Sequence, residues 1–385
     1  MSLHKVPVTQ IKELLPHFNA ERLEIAVIYG WNVVVQKGKY KVGDLVIYCP
    51  IDSLLPQWLE DKLFDASSKI KLHKHRIRQI KIRGLSSQGM IIPFEVVLEH
   101  IADYAKANGQ KEFNIESEMD LAGVLGITKY EPEETYVGVP GQKTPRDKPL
   151  ENPFMHKYGG LENFKWYPDL FKDGEEVVIQ EKLHGTNSRY GLLPSVPNTF
   201  WKKLKYLFNL LPKYEFTWGS NNVQLQHKSY SRNGYYEEDV YKKIATKLNI
   251  KDKLLPGETI YGEIIGPGIQ ANYTYGIPQG EHRFVLFDVK IYDGEKSVYL
   301  EPEQVEEFAK KRGFEMVPVL YRGVWNKQIA TDLSKGQSVY SSLQKVREGV
   351  TIKARKGVNE SSIGKKMLKL INEDYLADEK NTDNH

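Results

Sequence analysis

The chain has 385 residues, long for one hydrophobic core, so two domains are the first expectation. Its 40% hydrophobic and 27% charged residues, with a net charge of +4, describe a soluble globular protein, and no apolar run nears the roughly 20 residues of a membrane span. The one cysteine, Cys49, excludes an internal disulfide and a cysteine-based zinc site; with an N-terminus lacking the continuous apolar region of a secretory signal, it predicts a reducing, cytoplasmic setting.

From Leu23 to about residue 95 the chain reads as short strands between turns: "LEIAVIYGWNVVVQ", "VGDLVIYCP", a basic stretch, then "GMIIP". Small closed β-structure is predicted. The basic stretch, "KIKLHKHRIRQIKIR" over residues 69–83, holds seven lysines and arginines and no acid. Ile70, Leu72, Ile80 and Ile82 alternate with the charges, which predicts one strand with an apolar inner face. Its outer face of Lys69, Lys71, Lys74, Arg76, Arg78, Lys81 and Arg83 would meet a polyanion. Residues 131–160, rich in Pro, Gly and charge, read as a linker.

Beyond it, long strands ("GEEVVIQEK", "GETIYGEII", "HRFVLFDVKIY") alternate with helical stretches ("YYEEDVYKKIATKLN", "EPEQVEEFAKKRG", "SVYSSLQKVREG"). Residues 199–214 have the spacing of a basic amphipathic helix. The reading is α+β, with domains at 1–130 and 161–376 and a disordered tail at 377–385.

Lys182 ends the apolar run "VVIQEK" and is followed by "LHGTN". A lysine of ordinary pKa, about 10.4, is protonated at neutral pH and is no nucleophile. Burial at a strand end, fixed cations or a bound metal would each free the amine. Gly185 lets backbone approach a ligand, and Thr186 and Asn187 add short polar groups. Lys-x-x-Gly alone is common by chance, but three further segments join it. "TIYGEIIGPG" ends a strand at Glu263; "EGVTIKA" sets Glu348 before a strand that carries Lys353; "GKKMLKLIN" places Lys366 and Lys369 in an apolar setting. Carboxylates for Mg²⁺ or a ribose hydroxyl, and lysines for phosphate oxygens, are what a metal-bound nucleotide needs.

The order of these segments resembles the covalent nucleotidyltransferase superfamily, and "KLHGTN" is similar to the Lys-x-Asp-Gly-x-Asn of ATP-dependent RNA ligases. "ERLEIAVIYGWNVVVQKGKYKVGDLVIYCPIDSLLP" and "IRGLSSQGMIIP" resemble the OB module that precedes the ligase domain in the Deinococcus-type branch. The resemblance runs from about residue 20 to 376. It implies an OB-like β-barrel followed by an adenylyltransferase domain of ATP-grasp-like antiparallel sheets with helices. It also implies ATP with Mg²⁺ or Mn²⁺, and RNA carrying 5′-phosphate and 3′-hydroxyl ends, as in a nicked duplex.

By the same resemblance Lys182 attacks the α-phosphorus of ATP and holds AMP, Glu263 takes the ribose or a metal water, and Glu348 holds the metal. Phe287 and Val350 sandwich the adenine, Lys366 and Lys369 reach the α-phosphate, and Glu181, Leu183, Asn187 and Arg189 complete the nucleotide contacts. Three features depart from the pattern. His184 stands where the superfamily has Asp, which removes a carboxylate from the metal environment. Asn221 and Asn222 replace an arginine after Gly-Ser, leaving the 5′-phosphate to other residues. Lys366 and Lys369 are three apart where the last motif has lysines two apart, so either is the match. DNA ligases and capping enzymes share these motifs but carry their OB domain after the last of them; here the β-rich module comes first and 16 residues follow Lys369. A non-catalytic RNA-binding protein is the alternative of another class.

Overall fold

The computed structural model describes residues 4–64, 72–130, 152–197, 204, 207–208, 212–221, 224, 239–270, 272–361 and 363–377. Most of the expected helix 199–214, Asn222, Lys69, Lys71 and residues 378–385 lie outside them. Two compact units result. One combines the N-terminal part of the chain with Glu162–Asp169, the other runs through Leu161 and from Leu170 to Tyr375.

In the N-terminal unit, β1 (Val8–Gln10), β5 (Leu45–Cys49) and β8 (Met90–Ile92) form one antiparallel sheet, and β2 (Glu13–Pro16), β3 (Leu23–Ile28) and β4 (Trp31–Gln36) another. A hairpin of β6 (Ile80–Ile82) and β7 (Leu85–Ser87) sits beside β4, where the Val34 amide donates to Ser87 Oγ at 3.0 Å and the Gln88 amide to the Asn32 carbonyl at 2.8 Å. Strand β5 is buried on both faces, as its unbroken apolar run requires. Val46 and Tyr48 join a core with Ile11, Ala26, Ile28, Trp31 and Val33. Ile47 and Cys49 join a second core with Leu59 of α1 (Gln57–Leu63) and Val97 and Ile101 of α2 (Phe94–Ala107). Trp166 packs edge-on against Tyr29, Trp31 and Tyr48, which explains why Glu162–Asp169 belongs here.

The basic stretch is not one strand. A short 3-10 turn over His73–His75, with Lys74 and His75 at positive φ, interrupts it, and a strand begins only at Ile80. Ile77 takes the core position, 4% exposed, while Ile80 is 55% exposed, so the expected apolar inner face is broken.

In the C-terminal unit, β9 (Glu176–Lys182), β15 (Val319–Val324), β16 (Gly349–Ala354) and β17 (Met367–Ile371) run antiparallel in the order β17-β16-β9-β15. A second antiparallel sheet has the order β11 (Tyr214–Ser220), β10 (Thr186–Pro194), β12 (Glu258–Ile265), β13 (Arg283–Tyr292), β14 (Ser297–Tyr299). Helices α3 (Val240–Lys247) and α4 (Pro302–Arg312) cover it, contributing Tyr241, Ile244, Val305 and Phe308 to a core with Ile260, Phe284 and Leu286. The expected helix forms as α4, where Glu301 and Gln304 make a capping box and Gly313 closes the helix at φ 65°. Residues 152–160, expected in the linker, are built into this unit. Asn152 is buried and donates to Pro194 O and Glu215 Oε1.

The helix expected at 338–349 does not form, and α5 (Lys327–Leu333) lies ahead of it. Side chains capture the backbone donors there: Glu181 Oε2 accepts from the amides of Val339 and Tyr340, and Ser338 Oγ from that of Ser341.

Candidate active site

The register of the first sheet fixes which residues share a face, because directly opposed residues point the same way and neighbours alternate. Lys182 opposes Gly349 and, across it, Ile371; Gln180 opposes Thr351 and Lys369; Val178 opposes Lys353 and Met367. One face therefore carries Lys182, Gln180, Thr351, Lys353 and Lys369. The other carries Glu181, Val350 and Leu370.

Lys182 Nζ donates to Glu348 Oε1 at 2.5 Å, with the lysine side chain 26% exposed and the glutamate 1%. Nδ1 of His184 lies 3.9 Å from the other oxygen, Oε2. The His184 ring is buried between Tyr273 and Tyr375, both edge-on at centroid distances of 4.7 and 5.2 Å, and its backbone amide donates to Tyr275 Oη. Where the superfamily has Asp, an imidazole thus packs in an aromatic slot beside a carboxylate that binds the lysine. Tyr375 belongs to α6 (Glu373–Ala377).

Glu263 faces the same turn from the second sheet. Its Oε1 accepts the Gly185 amide at 3.1 Å, and Asn187 stands opposite it in register. A Cβ on Gly185 would lie 2.3 Å from the Ile264 carbonyl oxygen and 2.9 Å from Glu263 Cγ, so only glycine lets the two strands approach this closely. Asn187 Oδ1 is buried without a hydrogen bond among the described residues, as are both amide atoms of Gln180. Buried polar atoms of this kind are costly unless a ligand or water satisfies them.

Phe287 occupies a bulge: Asp288 opposes Tyr261 and Leu286 opposes Gly262, leaving Phe287 the extra residue. The bulge turns Phe287 and Asp288 to the same side, toward Tyr158, whose ring lies 4.9 Å from that of Phe287 and whose hydroxyl donates to Asp288 Oδ2 at 2.7 Å. Lys353 reaches across from the first sheet, donating to the Phe287 carbonyl at 2.6 Å and lying 3.4 Å from Asp288 Oδ2. This buried pair ties the sheets together behind Phe287. The sequence marked Lys353 only as a strand end; the signal for its role is its even spacing from Thr351.

Several expected contacts are not where the sequence placed them. Val350 is buried on the face away from Lys182, and Thr351 holds the near-face position. The Glu181 carboxylate is committed to the 339–340 amides on the far side, and Leu183 is buried and has only its backbone to offer. Arg189 is wholly buried on the same strand face as Asn187, its guanidinium donating to the carbonyls of Ser220 and Met155. Lys366 points to the far face and pairs with Glu175 at 2.5 Å, whereas Lys369 shares the face of Lys182. In the N-terminal unit Lys74, Arg78, Lys81 and Arg83 are exposed. Arg76 is not: it donates twice to Asp52 and stacks 3.9 Å over Tyr130.

Lys365, unmarked by the sequence reading, has its amine 3.4 Å over the Tyr158 ring and 4.6 Å over Tyr299, shut from water. Burial pushes it down to about 7; Asp288 works against the shift, Lys353 and Lys290 with it. The unfolded chain keeps this proton to about 10.4, so it binds more protons than the fold between those values and stability rises with pH there. Lys365→Met is therefore expected to stabilise the protein by about 2 kcal/mol below pH 7, the rings having recovered part of the burial cost. The gain fades as pH approaches 10.4, and calorimetry at pH 7 and 9.5 measures the difference.

Among the described residues no helix is long and apolar enough to cross a membrane, and no three His, Cys, Asp or Glu side chains cluster as a metal cage.

Comparison with known proteins agrees with this architecture. A family model described as RNA ligase matches residues 175–371, and an OB-fold domain model matches residues 5–94. No curated protein sequence matches. Among solved structures, an apo mutant of the RNA ligase of Naegleria gruberi is similar at 22% identity and TM-score 0.69, over 98% of this chain and 98% of that one. A mutant of the same protein with ATP and Mn, and the protein with PPi, each match at 22% identity and TM-score 0.69 over 97% and 98%. These likenesses establish the fold: an OB-fold unit and a nucleotidyltransferase-type ligase unit.

Proposed function

This chain belongs to the RNA ligase family, and from that premise we propose that it joins RNA 3′-hydroxyl and 5′-phosphate ends with ATP through a lysyl-AMP intermediate on Lys182. The observation that carries the proposal is the pairing of Lys182 with the buried Glu348, on the face that also holds Lys369, Thr351 and Gln180. Three transfers follow. The Lys182 amine displaces pyrophosphate from the α-phosphorus of ATP, forming the P–N bond. The 5′-phosphate of RNA then displaces the lysine, and a 3′-hydroxyl displaces AMP.

The ATP-bound and Mn-bound form of the Naegleria ligase supports the nucleotide and the cation. Glu348 and Glu263 fit Mg²⁺ or Mn²⁺ as hard oxygen donors, and two such carboxylates suit an ion bound largely through water and phosphate oxygens. Such a cation supplies Lewis-acid charge that stabilises the crowded phosphorus. The chain's residues do the positioning. Glu348 aims the amine, Lys369 supplies positive charge on the same face, and the unsatisfied Asn187 and Gln180 atoms await ribose or base. Phe287, locked by Asp288 and Lys353, presents a ring face for adenine, with Thr351 in the place expected of Val350. The exposed Lys74, Arg78, Lys81 and Arg83 hold RNA phosphates, those at a nick included.

Incubation of folded protein with α-labelled ATP and Mg²⁺ or Mn²⁺ is expected to leave an acid-labile label at Lys182, located by peptide mapping. An unlabelled protein that still binds RNA would return the chain to the non-catalytic reading, and labelling from GTP in preference to ATP would point to capping chemistry.

A further inference from the structure

Phe18 is 72% exposed, unusual for a phenylalanine that is also held in place. Its ring stacks on His17 at 5.4 Å and 19°. The Asn19 amide donates to His17 Nδ1 at 3.1 Å, which makes Nδ1 the acceptor and leaves Nε2–H to donate to the Ile82 carbonyl, also 3.1 Å away. Asn19 Nδ2 donates to the Arg83 carbonyl. His17 and Asn19 thus fasten Phe18 to the tip of the β6–β7 hairpin. At that tip Gly84 (φ 90°) leaves room for the ring: a Cβ on residue 84 would lie 3.3 Å from its edge. The hairpin carries exposed Lys81 and Arg83, exposed Arg78 lies just ahead of it, and no acid occurs between residues 72 and 94.

A fixed, solvent-facing ring at the tip of a hairpin in a stretch of exposed cations is the pairing that binds single-stranded nucleic acid, where a base stacks on the ring and the backbone meets the charges. We propose that Phe18 and the β6–β7 hairpin form a stacking platform for one unpaired base of a single-stranded RNA segment. The charge complementarity selects a polyanion, and the flat exposed ring selects an unpaired base over a duplex, whose bases are already stacked. The proposal rests on the reading of the N-terminal unit as the part that holds RNA.

The test measures binding of the full chain to a single-stranded oligoribonucleotide by fluorescence anisotropy over a range of salt, without ATP or divalent cation. Phe18→Ala is expected to bind roughly 5- to 100-fold more weakly with an unchanged slope of log Kd against log salt. Phe18→Tyr, which keeps the ring, is expected to bind as the wild type does. The triple variant Arg78→Gln, Lys81→Gln, Arg83→Gln is expected to lower the salt slope by about two. Blunt duplex RNA is expected to be indifferent to Phe18→Ala. Wild-type binding by Phe18→Ala, with the triple variant still losing slope, would overturn the platform and leave the RNA-holding hairpin standing. No effect from either change would overturn both.

Discussion

Replacing Lys182 by alanine is expected to abolish labelling by α-labelled ATP, a loss of more than about 10³-fold, while sealing of pre-adenylated RNA survives. The first transfer needs the amine as nucleophile. The last needs only the activated phosphate, the 3′-hydroxyl and the surrounding charges, none of which resides on residue 182. Its side chain is 26% exposed at the end of β9, so truncation opens no sealed cavity, though it takes a cation from the buried Glu348. Comparing melting curves of wild type and variant guards against a folding artefact. Persistence of the label on the alanine variant would remove the assigned nucleophile.

The second large effect is expected from Glu348. Glu348→Gln keeps the volume and an acceptor for Lys182 but removes the charge, and it is expected to slow lysine labelling by about 100-fold or more. Two roles are lost together: the anion that aims the amine at 2.5 Å and a hard oxygen for the cation. A cation role predicts that raising Mn²⁺ restores part of the rate; a pure aiming role predicts that it does not. Labelling at the wild-type rate would exclude Glu348 from both.

What could be read from the sequence was what is written locally. The order of strands and the strand-end position of Lys182, with Glu348 just ahead of its strand, follow from apolar runs and turn glycines, whereas Glu263 lies two residues inside its strand and not at its end. Register is a different matter, because it depends on which residues of three distant strands face each other. That is why the local pattern points to Val350 although Thr351 shares the face of Lys182, and why it does not separate Lys366 from Lys369, which lies across from Thr351. The partners of Arg189 were hidden for a related reason: the carbonyls that bind it come from Met155 and Ser220, more distant in the chain than any local pattern reaches. The basic stretch misled through its alternation, which two left-handed residues, Lys74 and His75, cut short.

The excursion of residues 162–169 bears on any attempt to dissect the molecule. A shortened fragment ending at residue 130 would lack Trp166, and Tyr29, Trp31 and Tyr48 would each lose an edge-on neighbour. Lys165, whose amine lies 5.1 Å over the Trp31 ring and donates to Gln88, would be lost with it. Such a fragment would expose a greasy scar and tend to precipitate. A version with Glu162–Asp169 supplied as a tethered or separate peptide is the more sensible starting material.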